Sequence, residues 1–336
     1  MTRRLASVGP VVFDVAPGIT AIDTFFGGRE RYTAAYLLNA DEPAIVETGP
    51  TTSFEAVVAG LGRLGIGPGS LAHIVVTHIH LDHAGGVGRI AERFPGAAVW
   101  VHERGARHLA DPSRLIDSAT RIYGRELLSS LFGAVEPVVP QRIRAVDDGS
   151  VIDLGGRTLE VMATPGHAKH HIALVDSATG AVLTGDALGI HPPDAQVLRP
   201  ATPPPDYDLE LALSSIRTIR ERARGSMVLF SHFGPVEEVD RICELAERRF
   251  RSWTETVGRE LEDTDDLDEI VRVLERVARE DTETGAEATL DLQRMETLSS
   301  VRMNAMGIMR YWQLRRQRQE DEGSRDDADA GAEREQ

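Results

Sequence analysis

The sequence has very little of several residue types that define particular protein classes. Its 336 residues include one cysteine, Cys243, and one lysine, Lys169. A single cysteine excludes a disulfide framework and a metal cluster held by several thiolates. No run of residues reaches the roughly 20 apolar positions of a membrane-spanning helix, and the first residues lack the apolar core of a signal peptide. We therefore expect a soluble, cytoplasmic protein without a membrane partner.

The chain is acidic, with 53 Asp and Glu against 37 Lys and Arg, and a formal net charge of −16. This balance argues against a nucleic-acid backbone as the main partner, because phosphates are bound by clustered basic side chains. Apolar residues make up 41% of the chain, enough for a sizeable core. The composition is therefore typical of a soluble globular protein.

The order of apolar patterns predicts a mixed α and β domain followed by helices. Short strands and amphipathic helices alternate over residues 1–235, with a helical insertion at 103–132 and a proline-rich loop at 187–206. Residues 236–318 lack strand patterns and predict a C-terminal extension of three helices. Residues 319–336 contain almost no apolar side chains and are predicted to be disordered.

The stretch "THIHLDH" concentrates His78, His80, Asp82 and His83 directly after an apolar strand. Alternate side chains of a strand face one side, so the first three converge if the chain stays extended. His83 joins them if the chain bends. Imidazole and carboxylate groups suit zinc, iron or manganese, and a catalytic site needs about three protein ligands beside an open position. Four candidates in one segment therefore indicate two metal ions.

Three further polar residues follow apolar strands elsewhere in the chain: His167, Asp186 and His232. Strand ends at one edge of a sheet are where loops assemble sites. With the first four residues they could hold two ions about 3.5–4 Å apart, with a carboxylate between them. The remaining strand-end and helical histidines are interpreted as surface residues rather than ligands: His73, His102, His108 and His191.

These motifs resemble the metallo-β-lactamase superfamily, whose hallmark is HxHxDH followed by separated His, Asp and His. The resemblance extends from about residue 30 to 235 and implies an α/β (α+β) fold, an αββα sandwich with metal ions at one edge. It implies a first metal site of His78, His80 and His167, a second site of Asp82, His83 and His232, and a bridging carboxylate from Asp186.

Several residues receive a supporting role. Glu47 in "VETGP" stands where the family usually has aspartate and is predicted to orient a ligand histidine. His171 either supports the ligands or packs behind them, and Tyr123 either reaches the site from the insertion or packs under its helix. A stripe near the C-terminus either packs in the core or lines an acyl pocket: Met303, Met306, Met309, Tyr311 and Trp312.

The ligand set points to hydrolysis, because a water bound between two divalent ions ionises near neutral pH and can attack a carbonyl. Asp82 is then a catalytic proton carrier as well as a ligand. Asp186 and the lack of a motif cysteine differ from true β-lactamases, whereas "TPGHAKHH" and "TGDA" resemble hydroxyacylglutathione hydrolases (glyoxalase II) and acyl-homoserine lactonases. We predict a hydrolase of an ester, thioester or lactone that uses two zinc ions, with iron or manganese as alternatives. Substrate selection is expected in the insertion, the proline-rich loop and the C-terminal helices.

Three other functions are compatible with parts of the pattern. A mononuclear iron oxidoreductase such as a persulfide dioxygenase would not need the second ligand set. A phosphodiesterase or nuclease conflicts with the acidic charge when the substrate is nucleic acid. A binding module without catalysis would be expected to have lost ligands, and all seven are present.

Overall fold

Two β-sheets form the centre of the protein, which we describe from a computed structural model covering residues 11–192, 197–281 and 288–334. Seven strands form the first sheet, ordered as along the chain. They are β1 (Val12–Ala16), β2 (Ile19–Asp23), β3 (Ala34–Leu38), β4 (Ala44–Val46), β5 (His73–Val75), β6 (Ala98–His102) and β7 (Ile143–Val146). The strands are antiparallel up to β4, and β4 to β7 are parallel.

The second sheet has six strands in the order β13-β12-β11-β10-β9-β8. They are β8 (Val151–Asp153), β9 (Thr158–Ala163), β10 (Ile172–Asp176), β11 (Val182–Gly185), β12 (Val228–Phe230) and β13 (Gly234–Val236). β8 and β9 form a hairpin around Gly155 and Gly156, which both have positive φ angles that favour glycine. β9, β11 and β12 run in the same direction, so their C-terminal ends lie at one edge.

Helices cover the outer face of each sheet. They are α1 (Phe54–Arg63), α2 (Leu81–Ala84), α3 (Val87–Arg93), α4 (Glu103–Ala110), α5 (Ser113–Tyr123), α6 (Arg125–Phe132), α7 (Leu209–Arg222), α8 (Val239–Glu260), α9 (Leu267–Glu280), α10 (Ala288–Leu298) and α11 (Val301–Arg334). Among these described helices, none combines the length and apolar character that crossing a membrane requires.

Three apolar layers hold the sandwich together. The inner layer lies between the sheets and joins, for example, Tyr36 and Val75 of the first to Leu174 and Leu229 of the second. A second layer packs α1 and α3 on the first sheet, and a third packs α7, α8, α9 and α11 on the second sheet. The predicted αββα architecture with a helical C-terminal region is thereby confirmed.

The structure differs from the sequence predictions at two places. β2 is not predicted as a separate strand, and β13 includes Pro235, beyond which no strand is predicted. Proline is tolerated there because β13 is an edge strand. The disorder predicted for residues 319–336 stays a prediction; in the described part of this segment, α11 extends to Arg334.

Candidate metal centre

The seven predicted ligands meet at the edge of the sandwich where strands of both sheets end. His78 and His80 follow β5 in the first sheet, whereas Asp186 directly follows β11 in the second. The chain does not stay extended through the motif: after His80 it turns into the short helix α2, which carries Asp82 and His83. Strand alternation therefore explains only the first two histidines, and the helical turn brings the other two side chains around.

Four ligand atoms of one cluster lie close to one another. His83 Nε2 lies 3.2 Å from His232 Nε2 and 3.5 Å from Asp82 Oδ2, and His232 Nε2 lies 3.3 Å from Asp82 Oδ2. Asp186 Oδ1 lies 3.4 Å from His83 Nε2 and 3.5 Å from His232 Nε2. Imidazole nitrogens and carboxylate oxygens gathered in this way are the donors that a zinc ion prefers.

The other cluster consists of His78, His80 and His167, whose ligand atoms all lie within 4.8 Å of one another. His80 Nδ1 and His167 Nε2 are 2.8 Å apart, and Asp186 Oδ2 lies 3.6 Å from the same His167 nitrogen. The two oxygens of Asp186 thus face different clusters. This is the position that a bridging carboxylate occupies between two ions.

The far nitrogens of the ligand histidines have polar neighbours that leave the inner nitrogen available. His167 Nδ1 donates to the Ala201 carbonyl at 3.0 Å and His232 Nδ1 to the Tyr32 carbonyl at 3.1 Å. Such contacts fix the neutral tautomer with its lone pair toward a metal ion. Buried His78 Nε2 and Asp186 Oδ1 have no hydrogen-bond partner among the described atoms. Because unpaired buried polar atoms are costly, these atoms fit a bound cation.

The charges around His83 also fit a cation. Burial alone lowers the pKa of His83, but the carboxylates of Asp186, Asp82 and Glu47 outweigh burial and raise this pKa well above its usual value. Conversely, burial raises the pKa of the Asp82 carboxyl, and His83 and His232 outweigh it and hold the pKa far below its usual range. Without a metal ion, a proton on His83 would supply the positive charge that the three carboxylates require.

Glu47 lies immediately after β4 and is buried, with a positive φ of 68°. Its Oε1 accepts from the Thr77 backbone N–H at 3.2 Å, and its Oε2 lies 3.5 Å from His83 Nδ1. The side chain therefore contacts the ligand histidine on the side away from the cluster. A positive φ at a residue other than glycine costs about 1 kcal/mol or more. The contacts that hold the Glu47 carboxylate in place offset this cost.

His171 contacts the site without being a ligand. The Asp186 backbone N–H donates to His171 Nε2 at 3.0 Å, and His171 Nδ1 lies 2.8 Å from Thr164 Oγ1. Both ring nitrogens are thereby occupied. Burial and neighbouring His167 hold the pKa of His171 well below its usual value, so the ring is neutral. Its contact fixes the backbone that carries the bridging carboxylate.

A cavity of about 710 Å³ opens directly onto the ligands His80, Asp82, His167 and Asp186. Its walls come from α4 and α5 of the insertion, from residues 201–206 of the proline-rich loop, and from the start of α11. Asn304 Oδ1 accepts from the Thr202 N–H at 2.7 Å. Helix α11 thus holds the loop in place, and the carbonyl of Ala201 in this loop accepts from His167 Nδ1.

Tyr123 lines this cavity and is partly buried. Its hydroxyl donates to Met303 Sδ at 3.5 Å, and its ring centre is 5.2 Å from that of Phe132. Burial, and secondarily the nearby Asp82 charge, raise the pKa of the hydroxyl. Of the predicted C-terminal stripe, Met303 lines the cavity, whereas Met309, Tyr311 and Trp312 pack in the core beside α8.

His170 is a cavity residue that the sequence reasoning missed. It is 9% exposed, lines the cavity, and its Nε2 has no hydrogen-bond partner among the described atoms. Burial lowers its pKa to about 4, so it is neutral at neutral pH. The signal in the sequence was the doubled histidine in "TPGHAKHH", in the turn that also carries the ligand His167.

The other histidines stand outside both clusters, as predicted, but the prediction that they are surface residues is wrong for three of them. His73 accepts from Trp100 Nε1 at 3.0 Å, His102 accepts from the Arg104 N–H at 3.1 Å and so caps α4, and His191 Nδ1 donates to the Val197 carbonyl at 2.8 Å. Each is buried because a backbone group or neighbouring side chain satisfies it. His108, at the cavity rim, is partly exposed.

The family model of the Metallo-beta-lactamase superfamily matches residues 28–232, and the chain belongs to this superfamily. The fold agrees: ST1585 from Sulfolobus tokodaii, an archaeal metallo-beta-lactamase superfamily protein, superposes with a TM-score of 0.62 at 22% identity. This match covers 87% of this chain and 98% of that one.

Curated relatives match less than half of the chain. The metallo-beta-lactamase fold-containing protein ST1585 of Sulfurisphaera tokodaii is 31% identical over 49% of this chain and 62% of its own length. A hydroxyacylglutathione hydrolase of Rhodopseudomonas palustris is 30% identical over 42% of this chain and 44% of its own. An acyl-coenzyme A thioesterase, MBLAC2, of Gallus gallus is 33% identical over 37% and 44%. The chain therefore spans between two fifths and two thirds of the length of these relatives.

Proposed function

We propose that this protein is a dinuclear metal-dependent hydrolase that cleaves an ester, thioester or lactone of a small molecule, with zinc as the favoured metal. One observation carries the proposal. The two oxygens of Asp186 face two separate clusters of ligand atoms, at 3.4 Å from His83 Nε2 and 3.6 Å from His167 Nε2. A mononuclear centre gives no reason for the second cluster.

Bound divalent ions supply Lewis acidity and lower the pKa of a coordinated water. The chain itself positions and protects the reacting groups. Asp82 lines the cavity with 20% of its side chain exposed, while its Oδ2 faces His83 and His232. We assign Asp82 the transfer of a proton between the attacking water and the departing group, because it is the more exposed of the two acidic ligands that line the cavity, at 20% against 6% for Asp186.

The cavity favours an acyl compound over a phosphodiester. Tyr123, Phe132, Leu115 and Met303 form an apolar wall beside the ligands. An apolar wall stabilises an acyl group by removing it from water. The similarity to a hydroxyacylglutathione hydrolase and to an acyl-coenzyme A thioesterase likewise supports a thioester.

The test is metal content together with hydrolysis of a thioester, a lactone and a phosphodiester by purified protein and its Asp186→Asn variant. We expect about two equivalents of zinc, iron or manganese and carbonyl hydrolysis that the variant loses at least a hundredfold. Asp117→Asn, on the exposed face of α5, is the matched control and should keep both. One equivalent of iron with oxygen consumption would overturn the proposal in favour of a dioxygenase.

A further inference from the structure

A cluster of basic side chains lines the cavity on the side of the helical insertion. Arg104 and Arg107 lie on α4 and Arg114 on α5, and Lys169 joins them from the loop after β9. The acidic side chains that line the same cavity outside the metal ligands are Glu103 and Asp206. With the metal ligands Asp82 and Asp186 left out of the count, four basic and two acidic groups leave an excess of two positive charges in a chain whose net charge is −16.

The three arginines are not used by ion pairs within the protein. Lys169 pairs with Asp206 at 3.1 Å, but among the described residues no carboxylate oxygen lies within 4.0 Å of the guanidinium groups of Arg104, Arg107 or Arg114. Among the hydrogen bonds of the described residues, their guanidinium groups make one, from Arg107 Nε to His108 Nε2 at 3.2 Å. The three guanidinium groups therefore keep donors available to an anion bound in the cavity that they line.

A second observation also indicates a ligand on this side. The buried Nε2 of His170 has no partner among the described atoms, and His170 lines the same cavity. Its ring centre lies 6.0 Å from that of the ligand His80, and Gly105 of α4 packs against it. His170 therefore offers a hydrogen bond between the metal ligands and the helix that carries Arg104 and Arg107.

We propose that Arg104, Arg107 and Arg114 form an anion subsite, and that the substrate is a thioester whose thiol part carries phosphate or carboxylate groups. This inference rests on the proposed hydrolase function. The acyl group lies against the apolar wall of Tyr123 and Phe132, and the anionic part of the thiol extends to the arginines. Water adds to the carbonyl carbon and the C–S bond breaks. The acyl part leaves as a carboxylate, the sulfur leaves as a thiol carrying one proton, and one proton is released.

The experiment compares one acyl group on three thiols: coenzyme A, which carries phosphates, glutathione, which carries carboxylates, and uncharged N-acetylcysteamine. The variant is the triple substitution Arg104→Gln, Arg107→Gln and Arg114→Gln. Arg121→Gln is the control, because Arg121 is exposed on α5 but does not line the cavity. By the usual strength of exposed ion pairs, we expect kcat/KM for the charged thioesters to fall about tenfold in the triple variant. Its activity on the uncharged thioester and its metal content should stay within twofold.

The larger loss, on the coenzyme A or on the glutathione thioester, identifies phosphate or carboxylate as the bound group. Raising the salt concentration of the wild type provides a test that needs no variant, because screening should lower kcat/KM for charged thioesters alone. Equal kcat/KM on charged and uncharged thioesters at low salt overturns the inference and leaves the hydrolase intact. Failure to hydrolyse any of the three, in protein with its metals, overturns the thioester function and the inference together.

Discussion

The substitution Glu47→Gln tests whether this carboxylate orients a metal ligand. The change keeps an acceptor for the Thr77 N–H but replaces the second oxygen, 3.5 Å from His83 Nδ1, by an NH2 group that donates. When His83 binds a cation through Nε2, its Nδ1 carries the proton. Two donors would then face each other in a buried space. His83 relieves this conflict by moving its proton to Nε2, which removes the lone pair that a metal ion requires.

We expect Glu47→Gln to weaken one metal site by about 10- to 100-fold, which corresponds to about 1.4–2.7 kcal/mol. The site in question is that of Asp82, His83 and His232. Competition with a chromophoric chelator measures the two dissociation constants separately. Activity should return when excess metal is added, because the substitution weakens binding and leaves the ligands present.

Glu42→Gln is the matched control for this substitution. Glu42 Oε2 also pairs with a histidine, His73 Nε2, at 3.1 Å, but its side chain is 61% exposed and lies outside the metal centre. It should leave both dissociation constants unchanged. If Glu47→Gln binds both metal ions within twofold of the wild type, Glu47 does not orient His83 and the argument is wrong.

Three further predictions concern packing, reactivity and metal removal. Gly307→Ala should lower the free energy of unfolding in urea by about 1–3 kcal/mol, because its Cβ would overlap the Thr202 carbonyl. Gly62→Ala, on the open face of α1, is the control and should raise this free energy by about 0.5 kcal/mol. Equal stability of the two variants would contradict the packing of Gly307 against Thr202. Burial raises the pKa of the Cys243 thiol to about 12, so a thiol reagent should titrate no cysteine in the native protein and one after unfolding. Chelation of the metals should lower the melting temperature by roughly 5 °C or more, and an unchanged value would show that the buried ligands need no cation.

The ligands could be predicted from the sequence because their signal is local. Each lies within a few residues of an apolar strand end, and sheet edges gather such residues. Local reasoning was less successful where chain direction changes. It left open whether "THIHLDH" stays extended or bends, and in the structure α2 begins at Leu81 and turns Asp82 and His83. It also missed β2, which lies between β1 and β3, and the three-residue edge strand β13.

The walls of the cavity could not be predicted because they depend on contacts between distant segments. Tyr123 and Met303 meet across 180 positions of the chain, and Thr202 is held by Asn304. The pattern of α11 indicated an amphipathic helix but not which of its apolar residues would face a cavity rather than the core. For the same reason, the sequence did not distinguish the arginines of the insertion from other exposed residues. The positions of α4 and α5 in the structure show that these arginines line the cavity beside the metal ligands.

Each cluster contains ligands from both sheets, so a bound ion should stabilise the packing of one sheet on the other. His78 and His80 come from the first sheet and His167 from the second, and Asp82 and His83 likewise meet His232 across the gap. A bound ion therefore links strand ends that otherwise contact each other through the apolar layer between the sheets. Without it, like-charged carboxylates and unpaired nitrogens would face each other at this edge. Metal binding should thus stabilise the sandwich as a whole, and the edge that carries the site should be the first part to loosen when the metals are removed.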